Sequence, residues 1–209
     1  MYIPDHFMET RPEVLHQLIA THRLATIARV VNDELVADHI PLLFNANAAP
    51  HGVLRGHVAR ANPIWRDADR SNVLVIFQGP QAYISPSWYA SKALHGKVVP
   101  TWNYAVVHAR GILNAIDSYA WVHGHVTQNT DDNEARFAEP WAVGDAPDDF
   151  IRKTAAAIVG IEIQITTLVG KWKVSQNRSA ADRAGVIEGL REDSAVGTAE
   201  MATLVPPAD

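Results

Sequence analysis

The chain has 209 residues, of which 47% are hydrophobic and 20% charged, a balance that predicts one globular domain with a sizeable core. No run approaches the roughly eighteen apolar residues of a membrane span, and the N-terminus lacks the pattern of a signal peptide, so a soluble protein is expected. The absence of cysteine excludes disulfides and thiolate catalysis and fits a cytoplasmic location, and the net charge of -5 argues against broad attachment to DNA or anionic lipid.

One helix and five short strands are predicted in the first 116 residues. Thr10 and Glu13 form a capping box ahead of an apolar stripe, which predicts a helix over 10–22. Short segments rich in apolar and β-branched residues predict strands at 24–31, 34–44, 53–58, 73–77 and 106–116. Gly79 and Pro80 indicate a turn after the fourth strand, and Gly111 indicates a bulge or a close backbone approach in the fifth. Because short turns separate most of these strands, a closed antiparallel barrel is favoured over a Rossmann sheet.

The remaining residues predict helices on both sides of one long strand. A helical elaboration is expected at about 117–157, with its first helix broken around 129–133. Strict alternation of isoleucine with polar residues predicts a strand over 158–169. Ser179 caps a C-terminal helix at about 179–192. The segment 193–209 has little core potential, so a flexible tail, or one draped over a partner, is expected.

A segment rich in aromatic residues, Tyr83 to His108, fits no single secondary-structure period. It contains Trp88 and Trp102 with several tyrosines, and its few charged or titratable side chains are Lys or His. An exposed loop of this kind would face a second subunit, the rest of the fold or a flat ligand. An irregular aromatic core segment is the alternative interpretation.

Motifs of common catalytic and metal sites are missing. Ten histidines are present, yet HExxH is absent and the pair His123 and His125 has no evident third ligand, so no metal is expected. Ser85 and Ser87 lack a nucleophile elbow, and the sequence has no Walker A or GxGxxG motif. The catalytic residues therefore stay unassigned.

Two groups of basic and small polar residues suggest anion binding. Arg55, Gly56, His57 and Arg60 lie on and just after the predicted strand 53–58. A second group follows the strand 158–169 and consists of Lys171, Lys173, Ser175, Gln176, Asn177 and Arg178. Guanidinium and amide donors match phosphate oxygens, so a phosphate site beside an aromatic slot would suit flavin mononucleotide (FMN). Solvated strand ends with ordinary surface charges are the alternative.

Six segments occur in this order between residues 1 and 192: MYIPDHF, ISPSWY, VPTWNYAVVHARG, IVGIEI, GKWKVSQNR and DRAGVIEGL. In these segments the chain resembles the PaiB-type family of FMN-binding negative transcriptional regulators. The resemblance implies a mainly β fold with peripheral helices, the FMN-binding split β-barrel related to pyridoxamine-phosphate oxidases, as one domain over 1–192. It also implies a homodimer with flavin at the subunit interface, so that the aromatic segment forms an interface and a cofactor wall.

The resemblance also implies a set of flavin-binding residues. Arg55, Gly56, His57 and Arg60 are expected near the phosphate or ribityl chain, with His39 and Ile40 along the ring edge. Six further residues would complete the pocket from either subunit: Trp102, Asn103, Tyr104, Lys173, Ser175 and Gln176.

Three functions are compatible with this resemblance. The family implies negative regulation of transcription, although the chain has no visible helix-turn-helix, no basic arm and a net charge of -5, features that disfavour direct DNA binding. The fold also suits a flavin-dependent oxidoreductase acting on a small molecule, or a flavin sensor that acts through a protein partner. An FMN-binding regulator is the leading hypothesis.

Overall fold

A computed structural model gives the fold of residues 1–48, 50–66 and 71–207. The strands form a mainly antiparallel sheet and are β1 (Met8–Glu9), β2 (Leu24–Val31), β3 (Glu34–Pro41), β4 (Leu43–Asn45), β5 (Val53–Ala59), β6 (Ser71–Ile84), β7 (Thr101–Ile116) and β8 (Ile158–Lys173). The helices are α1 (Pro12–Thr21), α2 (Ser91–His95), α3 (Tyr119–Glu134), α4 (Asp148–Ala156), α5 (Ala180–Glu192) and α6 (Thr198–Leu204). No helix of these described residues is long and apolar enough to cross a membrane.

Most predicted elements are present, and the long strands extend beyond their predicted ends. The alternation in β8 buries Ile161, Ile163 and Ile165, each contributing about 1.5–3 kcal/mol of hydrophobic stabilisation. β6 continues through Gly79, where the sequence suggested a turn. A Cβ at Gly79 would lie 2.8 Å from Leu18 Cδ1, so this glycine allows close packing.

Two predictions for the helical regions are wrong. The helix expected to break around 129–133 is continuous as α3, where Ser118 caps the first turn and the Asn133 amide donates to the Asn129 carbonyl. The segment 193–209, expected to be a flexible tail, contains α6. Met201 is fully buried there and Val205 nearly so, so three or four apolar residues are enough to fix a short terminal helix.

The chain divides into two compact units, and the first comprises residues 1–18, 77–108 and 169–209. Within it the strand order is β6, β7, β8 and β1, with Met8 paired to Lys171. Helix α5 packs on the Trp88 ring through Gly189. Arg183 of the same helix donates hydrogen bonds to the carbonyl oxygens of Pro206 and Pro207, which follow α6.

The second unit comprises residues 19–76 and 109–168. Its strands follow the order β3, β2, β6, β7, β8, β5 and β4. The β2–β3 hairpin turns at Asn32 and Asp33, both with positive φ as a tight hairpin turn requires. Gly111 marks a close backbone approach, as predicted, because a Cβ there would lie 2.6 Å from the Gln164 carbonyl oxygen.

The barrel expected from the sequence is split and not closed. Among the described residues β3 and β4 are the two ends of the hydrogen-bonded order. β4 is only three residues long, which limits the backbone groups it offers to a further strand.

Candidate functional site

Five side chains of the first unit form an aromatic–basic cluster: Tyr83 on β6, Trp102 and Tyr104 on β7, and Lys171 and Lys173 on β8. The Tyr83 and Trp102 rings meet edge to face with centroids 6.1 Å apart. Lys171 Nζ lies 5.3 Å from the centroid of the Tyr104 ring. Trp102 is 53% exposed and Tyr83 47%, so the cluster presents two large rings to its surroundings.

The two lysines of the cluster are held by neutral groups. Lys171 donates to the Tyr2 carbonyl oxygen at 3.2 Å, and Lys173 donates to the Thr101 hydroxyl and the Trp102 carbonyl oxygen. Neither lysine forms an ion pair with a carboxylate of the described chain. Burial lowers the pKa of Lys173, as do the positive charges of Lys171 and Arg178. An anion placed here would therefore relieve repulsion among cations.

The predicted residues Asn103, Ser175 and Gln176 shape the turn that follows β8. Ser175 adopts a left-handed backbone with φ of 64°, and its hydroxyl accepts a hydrogen bond from the Asn103 amide at 2.9 Å. Gln176 accepts from the Val174 amide and donates to the Trp172 carbonyl. These hydrogen bonds fix the backbone that follows Lys173. Asn103, Ser175 and Gln176 therefore help to position the end of β8 that carries the lysines of the cluster.

The predicted arginines of the second unit both have carboxylate partners. Arg55 Nε lies 2.9 Å from Glu162 Oε2. Arg60 meets both oxygens of Asp117, at 2.8 and 2.7 Å, and its Nε donates to the Ala156 carbonyl. This pairing lowers the pKa of the Asp117 carboxyl. A phosphate at Arg60 would have to compete with Asp117.

The other predicted residues of the second unit differ in solvent exposure. His39 lies on β3 with Nδ1 3.0 Å from the Thr26 hydroxyl, and Ile40 beside it is buried. Gly56 on β5 lies against Leu42, where a Cβ would come within 2.8 Å of Leu42 Cδ2. These positions shape the strand packing, and their proximity to a flavin stays a prediction.

His57, which is half-buried, forms a ring pair with the buried His125 that the sequence did not indicate. Its ring lies 5.3 Å from that of His125, which stacks on Trp121 at 5.2 Å. Nδ1 of each histidine is buried without a hydrogen-bond partner in the described chain. Burial lowers the pKa of both imidazoles, and that of His125 falls to about 4 because His57 and Arg55 add positive charge. No group of three or more metal-binding side chains occurs among the described residues.

The sequence indicated twelve flavin-binding candidates, all placed by the structure, but neither Tyr2 nor His125. Tyr2 contributes a carbonyl and a ring to Lys171. An aromatic residue at a chain terminus carries no periodic signal, so neither contact could be inferred from the sequence. His125 was recognised only as half of an unconvincing metal pair.

Comparison with known proteins assigns the family. Residues 1–167 match the model of the family described as "Putative FMN-binding domain". The chain belongs to this FMN-binding family. The resemblance to PaiB-type proteins is thereby confirmed, and the family gives FMN as the cofactor.

Relatives of similar length support the same assignment. Protease synthase and sporulation protein PAI 2 of Bacillus subtilis is 32% identical over 206 residues, covering 98% of this chain and 96% of that protein. An uncharacterised protein of Emericella nidulans is 31% identical and covers 91% of this chain and 90% of its own length.

Solved structures agree on the fold. A flavocytochrome, Anf3 of Azotobacter vinelandii, has a TM-score of 0.58 at 11% identity, covering 82% of this chain and 72% of that one. An FAD and heme binding protein of Mycobacterium smegmatis also has a TM-score of 0.58, at 20% identity, covering 79% of this chain and 72% of that one. The chain therefore has the fold of the flavin-binding split barrels.

The aromatic–basic cluster fits the chemical demands of FMN. A flavin ring needs a flat apolar surface, which the exposed Trp102 ring offers with Tyr83 packed edge to face against it, and the phosphate needs cations that are not already neutralised. Lys171 and Lys173 meet the second demand because the described residues give them no carboxylate partner.

Proposed function

We propose that this protein is an FMN-binding regulator whose aromatic–basic cluster holds the cofactor. The observation that supports this site is the pair Lys171 and Lys173, which have no carboxylate partner among the described residues. Lys171 lies over the Tyr104 ring, and Lys173 donates to the backbone carbonyl of the exposed Trp102. The lysines neutralise the phosphate, and Trp102 and Tyr83 flank the ring system. Bound FMN supplies hydride and electron transfer that side chains cannot provide.

The regulatory part of the proposal rests on relatives and on charge. The Bacillus subtilis relative is named for protease synthesis and sporulation, a name that suggests control of other genes or proteins. The net charge of -5 disfavours sequence-independent attachment to DNA, so regulation through a protein partner is the better physical match. We further propose a homodimer located in the cytoplasm.

A flavin-dependent oxidoreductase is the second candidate. The exposure of Trp102 at 53% favours it, because an open ring wall leaves room for a small substrate beside the cofactor. No proton donor or acceptor for such a reaction can be named from the cluster except Lys173, whose pKa is lowered by burial and by its cationic neighbours.

Flavin titration of matched variants tests the site. The purified protein is expected to retain a flavin absorption band after addition of FMN and desalting. Lys173→Gln should weaken FMN binding about ten-fold or more, since a lost charge-assisted hydrogen bond costs about 1.5–3 kcal/mol. Trp102→Ala should weaken it further, and Lys97→Gln, at an exposed lysine of the same unit, should leave it unchanged.

Variants of His57 and Arg60 in the second unit test whether the flavin binds outside the aromatic–basic cluster. If His57→Ala and Arg60→Ala abolish flavin binding while Lys173→Gln and Trp102→Ala retain it, the cofactor lies elsewhere and the cluster assignment is overturned. A protein that remains colourless after reconstitution would overturn FMN binding itself.

Two assays on the flavin-loaded protein separate the functions. A DNA mobility shift under increasing salt should show no salt-resistant complex if regulation runs through a protein partner. Oxidation of NAD(P)H in the presence of FMN would favour the oxidoreductase. A specific shift that survives physiological salt would establish direct repression instead.

A further inference from the structure

A groove of about 490 Å³ lies between helix α3 and the segment 142–152, which includes most of α4, in the second unit. The two helices run antiparallel, because Arg60 binds both Asp117, just before α3, and the carbonyl oxygen of Ala156, at the end of α4. At the opposite end of α3, Glu134 accepts a hydrogen bond from the Trp141 amide after the chain has reversed. The walls of the groove are therefore fixed at both ends.

One face of each helix lines the groove. The lining residues of α3 recur at every fourth position: Tyr119, His123, Thr127 and Asp131. The lining residues of α4 share one face at spacings of three and four: Asp148, Ile151 and Arg152. At a rise of about 1.5 Å per residue, the lining stretch of α3 is about 18 Å long. The groove is therefore long enough for an extended ligand.

The charged side chains are ordered along the groove. Arg152 lies near the start of α3, with its Cζ 5.1 Å from the centroid of the Tyr119 ring. Asp131 lies in the last turn of α3, at the other end. Asp148 precedes Arg152 by one turn of α4, yet no ion pair joins these two described residues. The groove thus offers a cation at one end and carboxylates toward the other.

Arg152 is well placed to bind a carboxylate. Its guanidinium lies over the Tyr119 ring, and a guanidinium bound through its face keeps the N–H groups at its edge for a ligand. That edge matches the two oxygens of a carboxylate. The His123 ring, 5.7 Å from the Tyr119 ring, extends the aromatic surface beside it.

The surroundings of the groove favour a cationic ligand. The segment 131–149 contains seven acidic residues and one basic residue. Asp131 and Asp148 are exposed, and Val143 and Ile151 add apolar contacts to the lining. A surface of this charge attracts lysine and arginine side chains and repels nucleic acid.

We propose that the groove binds an extended peptide segment of a protein partner. Arg152 binds a carboxylate of the segment, and Asp148 and Asp131 bind its lysine or arginine side chains. About five residues fit, because an extended chain advances about 3.3 Å per residue. The inference rests on the proposed regulation through a protein partner, and it names the docking site and the charges the partner must carry. The groove and the aromatic–basic cluster share no described residue.

Fluorescence anisotropy with a labelled peptide tests the groove. The probe is tetramethylrhodamine-Gly-Lys-Leu-Lys-Leu-Lys with a free C-terminal carboxylate, titrated with the full chain at physiological salt. The wild type should bind it saturably. Asp131→Asn and Asp148→Asn should each weaken binding about five-fold or more, since each loses a charge-assisted contact. Glu34→Gln removes an exposed carboxylate of the same unit that does not line the groove, and should match the wild type.

Two amidated peptides identify the carboxylate that Arg152 binds. The probe with a C-terminal amide should bind the wild type about five-fold more weakly than the free acid, and Arg152→Gln should bind both alike. An amidated probe that ends in glutamate and binds as tightly as the free acid would show that an acidic side chain also serves. If the wild type binds all three peptides equally, the assignment of Arg152 is overturned.

FMN retention in the same variants separates the groove from the cofactor site. Asp148→Asn should retain FMN as the wild type does, and Lys173→Gln should bind the peptide as the wild type does. Peptide binding by a protein that takes up no FMN supports the groove and overturns the cofactor proposal alone. A flavin-loaded wild type that binds no peptide, or unchanged affinity in both aspartate variants, overturns the docking site alone.

Discussion

His125 loses its usual basicity because it is buried between aromatic rings and faces other positive groups. It stacks on Trp121, and His57 and Arg55 add positive charge, so the pKa falls from its ordinary 6.5 to about 4. The unfolded chain takes up a proton near pH 6.5, whereas the folded protein resists it until about pH 4. The stabilisation from the neutral imidazole is therefore complete above pH 6.5 and is lost as the pH falls toward 4.

Replacement of His125 should reduce the loss of unfolding free energy that the wild type shows as the pH falls. Between about pH 7 and pH 4 the wild type should lose about 2 kcal/mol of unfolding free energy through this residue, after allowance for solvent screening. His125→Phe keeps a ring on Trp121 and should remove most of that loss, while His123→Phe on the same helix should not. Urea unfolding at both pH values measures it. An unchanged pH dependence in His125→Phe would assign the acid sensitivity to other groups.

At the same scale, the sequence predicts residue types better than their pairing. Trp102, Tyr104 and Lys173 were assigned from the family resemblance and occur together in one cluster. Arg60 and Asp117 form an ion pair although they are 57 positions apart in the sequence, so no local sequence pattern could predict their contact. Arg29 reads as an ordinary strand arginine until its burial is known.

Helix α5 depends on a glycine that allows contact with an aromatic ring. A Cβ at Gly189 would lie 2.3–2.5 Å from carbons of the Trp88 ring. Gly124 in α3 has nothing within 4 Å of the same position. Substitutions at these two glycines therefore distinguish the effect of side-chain packing on stability from the effect of helix propensity.

Alanine at these two sites should have opposite effects. Gly124→Ala should stabilise the protein by about 0.5–1 kcal/mol because alanine favours the helix. Gly189→Ala gains the same propensity but forces Trp88 to move, with a net loss of about 1–3 kcal/mol. Urea unfolding of the two variants gives both values. If both variants are more stable than the wild type, the Trp88 ring moves aside without loss of unfolding free energy and the packing argument is wrong.

Elements with a strong local period were predictable, and those set by packing were not. β8 alternates isoleucine with polar residues, and α5 begins at a serine whose hydroxyl accepts from the Asp182 amide, as expected. α6 has no long apolar stripe, and its order follows from the burial of Met201 and Val205. The path of β6 through Gly79 depends on Leu18, a residue far away in sequence.

At the scale of the whole molecule, the first unit leaves large apolar side chains uncovered. Tyr2 is 83% exposed and Met8, Tyr83 and Trp102 are about half exposed. Met8 pairs with Lys171 and Trp102 meets Tyr83, so these side chains surround the aromatic–basic cluster. Apolar groups exposed around one cluster are typical of an association surface, which supports the proposed homodimer.

A charge placed at Trp102 should therefore dissociate the dimer. Light scattering coupled to size exclusion, without added flavin, should give the wild type twice the mass of the chain, and Trp102→Lys the mass of one chain, because a further ammonium group near Lys171 and Lys173 cannot be buried without a carboxylate partner. Trp141→Lys changes a tryptophan of similar exposure in the second unit and should remain a dimer. A monomeric wild type would contradict the homodimer. A dimeric Trp102→Lys would place the interface on another surface and leave the aromatic–basic cluster with cofactor binding alone.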